Sequence, residues 1–332
     1  MGLNKNSPEA GTCFGKNYKT FYEGFNYQTK DTFFFAFIIQ FLLLLMIYWH
    51  VGHGKYWRIL FYSSCAGIIG AIIEHSTIAF ICQNSQKNNH TIVIPFFIEE
   101  FCWIICEYAI PILNLIKMTT LSKSKATHVI KYVIYGLSIP FSIVRLLDGY
   151  DGMMKGYLST DLSKTCHGIA FGTMAIADVI CTSGIIYALN DKKLIGGENG
   201  GISAYLKNSS YTILIIVDIV SLLLSILYIV STLIPDNTAF SASTTLFHCL
   251  KSVFILVLAT DALIFRYGFS NSTTFHETNN SEAIHSTEMI SSMNYKTSLF
   301  KHDANCMSIG ITKKSYRGSD DSIPYIIGSS KI

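Results

Sequence analysis

Long apolar stretches alternate with short polar ones along most of this chain. Seven of them, at about 32–50, 57–82, 94–117, 127–147, 166–189, 210–234 and 240–267, approach the length that crosses a bilayer. A hydrocarbon core about 30 Å thick needs roughly 20 apolar residues at the helical rise. Within lipid every backbone donor and acceptor must be paired locally, so each stretch is expected to be a helix. The pattern predicts an all-α, seven-transmembrane helix bundle over residues 32–267. A polar N-terminal tail, 1–31, precedes it, and a Ser/Thr-rich tail, 268–332, follows it and is expected to be disordered. Residues 1–31 hold no apolar run of the signal-peptide kind, so the first span is expected to insert by itself. Between the fifth and sixth spans, residues 191–208 contain Gly196-Gly197 and Gly200-Gly201 and read as a flexible linker.

Composition agrees with a membrane protein. Half the residues are hydrophobic and 14% are charged, against about 25% charged in an ordinary soluble domain. The net charge of +3, without a basic patch interleaved with aromatics, gives no reason to expect nucleic acid. Orientation follows from the bases in the loops. Lys55 and Arg58, then Lys117, Lys123 and Lys125, then Lys192, Lys193 and Lys207 fall in the odd loops. The even loops are poorer in bases or balance them with acids. The N-terminus is therefore expected outside and the C-terminus in the cytoplasm, with the plasma membrane as the expected location. On that orientation the sequon Asn89-His90-Thr91 is external, and Asn89 is a glycosylation candidate.

Ionisable residues inside the apolar stretches change the picture most. At bilayer depth such a group costs at least ~2.5–3.5 kcal/mol, so it is expected to face the bundle interior or a cavity. In the second stretch Gly67, Gly70 and Glu74 share a face, and His75 follows. In the third, Glu100, Trp103, Glu107, Pro111 and Asn114 form one stripe at spacings of three and four, with Glu99 beside it. The fifth aligns Gly168, Gly172, Ala175, Asp178 and Thr182, and the sixth aligns Asp218, Ser221 and Ser225. The seventh carries His248, Lys251 and Asp261, and the fourth ends near Arg145 and Asp148. An outward-facing polar pocket is expected, with Glu74, Glu100, Trp103, Glu107, Asp178, His248 and Lys251 as ligand contacts and Glu107 with Lys251 as its central charge pair. Lys117, Lys131, Asp218, Asp261 and Arg266 are expected to close the cytoplasmic end. Trp49 and Trp57 are expected in the interfacial belt.

Most of the nine cysteines are single residues inside helices and read as packing groups. Cys13, Cys82 and Cys166 fall outside, where disulfides persist. A Cys82–Cys166 bridge is expected, with Cys13 as the competing partner.

Seven helices, an external N-terminus, an internal tail and a possible outer disulfide resemble the plan of the G-protein-coupled receptors. The resemblance is one of layout and implies a small extracellular ligand and a cytoplasmic transducer such as a G protein. Two family motifs are missing. The end of the third stretch reads Asn114-Leu115-Ile116-Lys117 where rhodopsin-like members carry Asp-Arg-Tyr. The end of the seventh reads Asp261-Ala262-Leu263-Ile264-Phe265-Arg266-Tyr267 where they carry Asn-Pro-x-x-Tyr. A divergent receptor is the reading this supports. The alternatives are a transporter or lipid translocator working through the intramembrane carboxylates, a retinal protein using Lys251, and an intramembrane hydrolase using His75, His167 and His248. No cofactor, resident metal or enzymatic activity is expected on the leading reading.

Overall fold

A computed structural model of the chain describes residues 4–52, 54–89, 91–121, 125–195, 202–233 and 238–264. Among them regular structure is helical apart from one isolated bridge between Tyr18 and Gln83. The helices are α1 (Phe21–Gln28), α2 (Thr32–Val51), α3 (Lys55–Ile81), α4 (Ile94–Leu121), α5 (Lys125–Lys155), α6 (Asp161–Ile195), α7 (Ile202–Leu233), α8 (Thr238–Ser252) and α9 (Phe254–Ile264). Each of the seven apolar stretches is thus built around helix. Five helices, α2, α3, α5, α6 and α7, are long and apolar enough to cross a membrane, and α8 with α9 makes a sixth if the bent pair is one span. The expected count of seven is therefore not reached on length and apolarity. α4, which carries Glu99, Glu100, Glu107 and Lys117, is not among these candidates. Multi-pass insertion is supported all the same. Large apolar side chains such as Ile39, Met46, Ile139, Ile143, Ile219 and Leu222 point outward while carboxylates lie in the core, the reverse of a soluble protein.

α4 is the centre of the bundle. It packs on α3, α5 and α6, and α6 packs in turn on α7. Glycines set these close approaches. A Cβ on Gly67 would stand 2.9 Å from the Phe37 ring of α2 and 3.0 Å from Cys106 Sγ of α4. On α6, Gly168 meets Ile229 and Gly172 meets Ser225. Ser225 donates to the Gly168 carbonyl at 2.9 Å, fixing the antiparallel register of α6 and α7. Trp57 was expected at the interface but is buried in the main core beside Leu60 and Leu113, whereas Trp49 is exposed.

α8 and α9 meet at a 42° bend around Val253. The bend frees backbone groups that a continuous helix would pair. Gln40, fully buried in α2, answers one of them: its Oε1 accepts from the Leu256 amide at 3.3 Å. A broken helix at membrane depth needs such a partner.

The N-terminal segment is not a loose tail. Thr20 caps α1 by accepting from the Glu23 amide at 3.2 Å, and α1 packs on α3. Lys5 is buried, and its ammonium donates to the carbonyls of Ile81, Gln86 and Asn89 at 3.2, 2.6 and 2.9 Å. Burial lowers the pKa of this amine from its usual value. The Thr12 hydroxyl accepts from the Leu158 amide at 3.0 Å. Buried Tyr18, pushed up to about 12 by desolvation, accepts from Gln28 at 3.0 Å. Cys13 and Cys82 form a disulfide, which corrects the expected Cys82–Cys166 bridge; Cys166 is a buried free thiol. The physical reason is that the folded segment lays Cys13 against the end of α3. Apolar periodicity does not report a segment that folds by caps, a bridge and carbonyl contacts.

The linker expected at 191–208 is shorter than read, because α6 runs on to Ile195 and α7 begins at Ile202. The expected tail, 268–332, and Arg266 lie outside the described residues.

Candidate functional site

A cavity of about 320 Å³ lies between α2, α3, α4, α5, α6, α8 and α9. Its lining is unusual for a membrane protein's interior. Six carboxylates, Asp31, Glu74, Glu99, Glu100, Glu107 and Asp148, share it with Arg145, Lys251, His75, His167 and His248. Phe33, Phe37, Phe96 and Trp103 supply aromatic walls.

Arg145 is the hub. It is 3% exposed, so it has little access to water. Its Nε lies 3.0 Å from Glu100 Oε2 and 3.6 Å from Glu107 Oε2, and its Nη1 lies 3.8 Å from Asp148 Oδ2. The same Nη1 lies 2.9 Å from His167 Nε2. Arginine only donates, so His167 Nε2 accepts and the imidazole proton sits on Nδ1. Nδ1 lies 3.0 Å from both the Ser163 carbonyl and Asp148 Oδ2, two acceptors that suit that tautomer. One cation on α5 thereby ties together α4, α6 and its own helix. Gly149, one turn on, makes room for this. A Cβ there would stand 2.5 Å from Glu100 Cγ.

Lys251 enters from the last turn of α8, just before the bend. Its Nζ lies 3.3 Å from Glu107 Oε1, the pairing expected from the sequence, and 3.3 Å from the centroid of the Phe171 ring. His248, one turn earlier, is 2.9 Å from the Tyr228 hydroxyl. His167 stacks on Tyr228 at 5.3 Å between ring centroids. These rings pack together where α6, α7 and α8 meet, and His167 and His248 line the cavity.

Lys16 of the N-terminal segment lies within electrostatic reach of two lining carboxylates, Asp31 and Glu74. Burial lowers the pKa of its amine, while those two carboxylates act to raise it. Glu99 is 2% exposed, and its Oε2 has no hydrogen-bond partner.

Of the seven expected ligand contacts, Glu74, Glu100, Trp103, Glu107, His248 and Lys251 line this cavity. Asp178 does not, and that expectation is corrected. It is fully buried and accepts from Asn114 Nδ2 at 3.0 Å. One turn along α4 separates Glu107 from the apolar layer of Ile110 and Leu113, both buried, and Asn114 lies beyond that layer. Lys117 forms an ion pair with Asp261 still farther along. Lys131, expected in that network, is exposed beside the Tyr135 ring instead. Asn89, the glycosylation candidate, is exposed in the turn after α3, where its Nδ2 donates to Gln86 at 2.8 Å.

Sequence reasoning placed Arg145 among the outer groups expected to line the pocket but not among the named ligand contacts, and left Asp148 at a helix end. The overlooked signal was spacing: Arg145, Asp148, Gly149 and Gly152 share one face of α5, with the small residues where another helix must approach. His75, His167 and His248 do line one cavity, but no group of three His, Cys, Asp or Glu among the described residues is arranged to hold a metal ion.

No family model, curated protein or solved structure matches this chain.

Proposed function

We propose that this multi-pass membrane protein is a receptor-like bundle whose cavity binds a small organic cation from the side covered by the N-terminal segment. The observation that carries the reading is the charge balance of a cavity that ends inside the bundle. In the lining six carboxylates face one guanidinium and one ammonium, both already engaged by Glu100, Glu107 and Asp148, with Lys16 outside the lining as a third cation in reach of Asp31 and Glu74. Glu99 is left with an unpaired buried oxygen beside Trp103 and Phe96. An amine would supply the missing positive charge, and aromatic faces add cation–π attraction. The volume lies at the lower end of the roughly 300–1,000 Å³ usual for small-molecule sites. The layer at Ile110 and Leu113 separates the cavity from the polar groups beyond, which favours binding and switching over a through-path. Lys251 beside the α8–α9 bend offers a route from ligand to helix movement, since a ligand competing for Glu107 would bias the bent pair. Signalling through a cytoplasmic transducer such as a G protein belongs to the same reading.

The test uses the full chain purified in detergent, with phenethylamine and 3-phenylpropionate as matched probes of opposite charge. The amine is expected to bind and the acid is not, and Glu99→Gln is expected to weaken amine binding about tenfold or more, as for loss of a charge-assisted contact. Equal binding of the acid would defeat the reading. Sustained amine uptake into sealed proteoliposomes would replace the receptor with a transporter.

A further inference from the structure

A second buried polar cluster lies where α4, α6 and α7 meet, beyond the cavity. Asp178 and Thr182 are one turn apart on α6, and Asp218 and Ser221 are one turn apart on α7. The contacts of Gly168 with Ile229 and Gly172 with Ser225 fix the register. Continued along the antiparallel pair, that register sets Asp178 level with residue 219, beside Asp218 and Ser221, and Thr182 level with residue 215, one turn from Asp218. Asp178 and Asp218 lie within electrostatic range of each other. The Thr182 hydroxyl sits near the Asp218 carboxylate without completing a hydrogen bond. Asn114 reaches in from α4, with its Nδ2 on Asp178 Oδ1 at 3.0 Å.

The acids alone would carry no conclusion; their neighbours do. Five buried oxygens here have no hydrogen-bond partner: Asn114 Oδ1, Asp178 Oδ2, Thr182 Oγ1, Asp218 Oδ1 and Ser221 Oγ. Asn114, Asp178 and Ser221 are 0% exposed, Thr182 4% and Asp218 7%. No Lys, Arg or His among the described residues is within ion-pair distance of either aspartate. Buried charges normally pair or hold an ion, and buried hydroxyls normally find a partner. Here three helices present unpaired oxygens together.

We propose that Asn114, Asp178, Thr182, Asp218 and Ser221 form a binding site for a dehydrated sodium ion. The donor set is all oxygen, which suits a hard cation and not the softer metals held by nitrogen and sulfur. Five side-chain oxygens fall short of the 6–8 that calcium takes, and magnesium gives up its waters reluctantly. Two carboxylates offset the ion's charge, and the Asn114 carbonyl and two hydroxyls replace its hydration shell. The ion would bridge α6 and α7 and hold α4 against both.

The experiment is thermal unfolding of the full chain in detergent at constant ionic strength, comparing sodium chloride with potassium chloride and N-methylglucamine chloride. Sodium is expected to raise Tm saturably, by roughly 5 °C at concentrations far above its Kd. Asp218→Asn is expected to abolish that rise, and Lys155→Met, at the far end of α5, to preserve it. If Asp218→Asn fails to fold, Ser221→Ala serves in its place, with the half-saturating sodium concentration expected to move upward. A sodium response equal to that of the large organic cation overturns the proposal. So does one unchanged in both variants, or a response to calcium and not sodium. A pH-dependent Tm without a sodium effect also overturns it, since the aspartates would then share a proton. The amine probes of the cavity are scored in sodium-free buffer, so either reading can fail alone.

Discussion

Two buried polar regions share α4 and α6 and handle their charge in opposite ways. Around the cavity, carboxylates outnumber cations, but Arg145 is placed where it touches three of them at once and Lys251 takes one again from the other side. In the cluster beyond Leu113, two aspartates and three neutral oxygens meet without a basic side chain at ion-pair distance among the described residues, and Lys251 acts on Asp178 only at longer range. The first region is held in shape by its own ion pairs, yet its carboxylates remain in excess, which leaves room for a cationic guest. The second is complete only with something added. Burying a charge costs several kcal/mol per ion unless geometry and hydrogen bonds offset it. The contrast is therefore between a site held in shape by its own residues and one that depends on solution conditions.

Removing Arg145 is the severest way to break this contrast. Arg145→Met keeps length and apolar packing but strands Glu100, Glu107 and Asp148 in the core. Breaking a buried ion pair by deleting one partner costs about 3–5 kcal/mol. The expected result is a Tm lower by roughly 10 °C, read by thermal unfolding in detergent. A loss below 2 °C would mean that the carboxylates are reached by water and that Arg145 is not the hub.

Gly149→Ala acts on the same region through space alone. The new Cβ would fall 2.5 Å from Glu100 Cγ and 3.1 Å from the Phe96 carbonyl. The glutamate can swing, but its swing breaks the 3.0 Å contact with Arg145. Overpacking of this kind costs about 1–3 kcal/mol. Tm should fall by less than in Arg145→Met, with no change in any sodium response. A variant that unfolds like wild type would show that α4 and α5 part easily here.

How much of this was legible beforehand differs between the same two regions. The helical character and approximate bounds of the apolar stretches follow from apolar runs, because lipid enforces local backbone pairing, but the number that spans does not. The stripe Glu100, Trp103, Glu107 was readable for the same reason: spacings of three and four leave one inward face. Asp178 was misassigned because depth along a helix does not say which side of an apolar layer a residue occupies. Ile110 and Leu113 make that layer, and they look like ordinary core residues in sequence. Arg145 was undervalued because two of its partners, Glu100 and Glu107, sit 45 and 38 positions earlier, on α4, and the local sign, Asp148 and the glycines on its own face, does not name them. The fold of residues 4–31 was illegible for a third reason. It rests on Lys5 finding three carbonyls and Cys13 finding Cys82, contacts with no periodicity.

The smallest expected effect sharpens the comparison most. Thr182→Val keeps the side chain's shape and deletes one hydroxyl. Where a hydroxyl has a partner, its loss from a buried site costs about 1 kcal/mol or more. Thr182 Oγ1 has none, so in sodium-free buffer the change should be within about 0.5 kcal/mol, as at a site free of special contacts. In saturating sodium the wild type gains stability and the variant gains less, so the two melting curves separate only when the ion is present. Equal curves in both buffers would make Thr182 a spectator. A large loss in sodium-free buffer would mean that the hydroxyl bonds Asp218 in solution, and the cluster would then need no added ion.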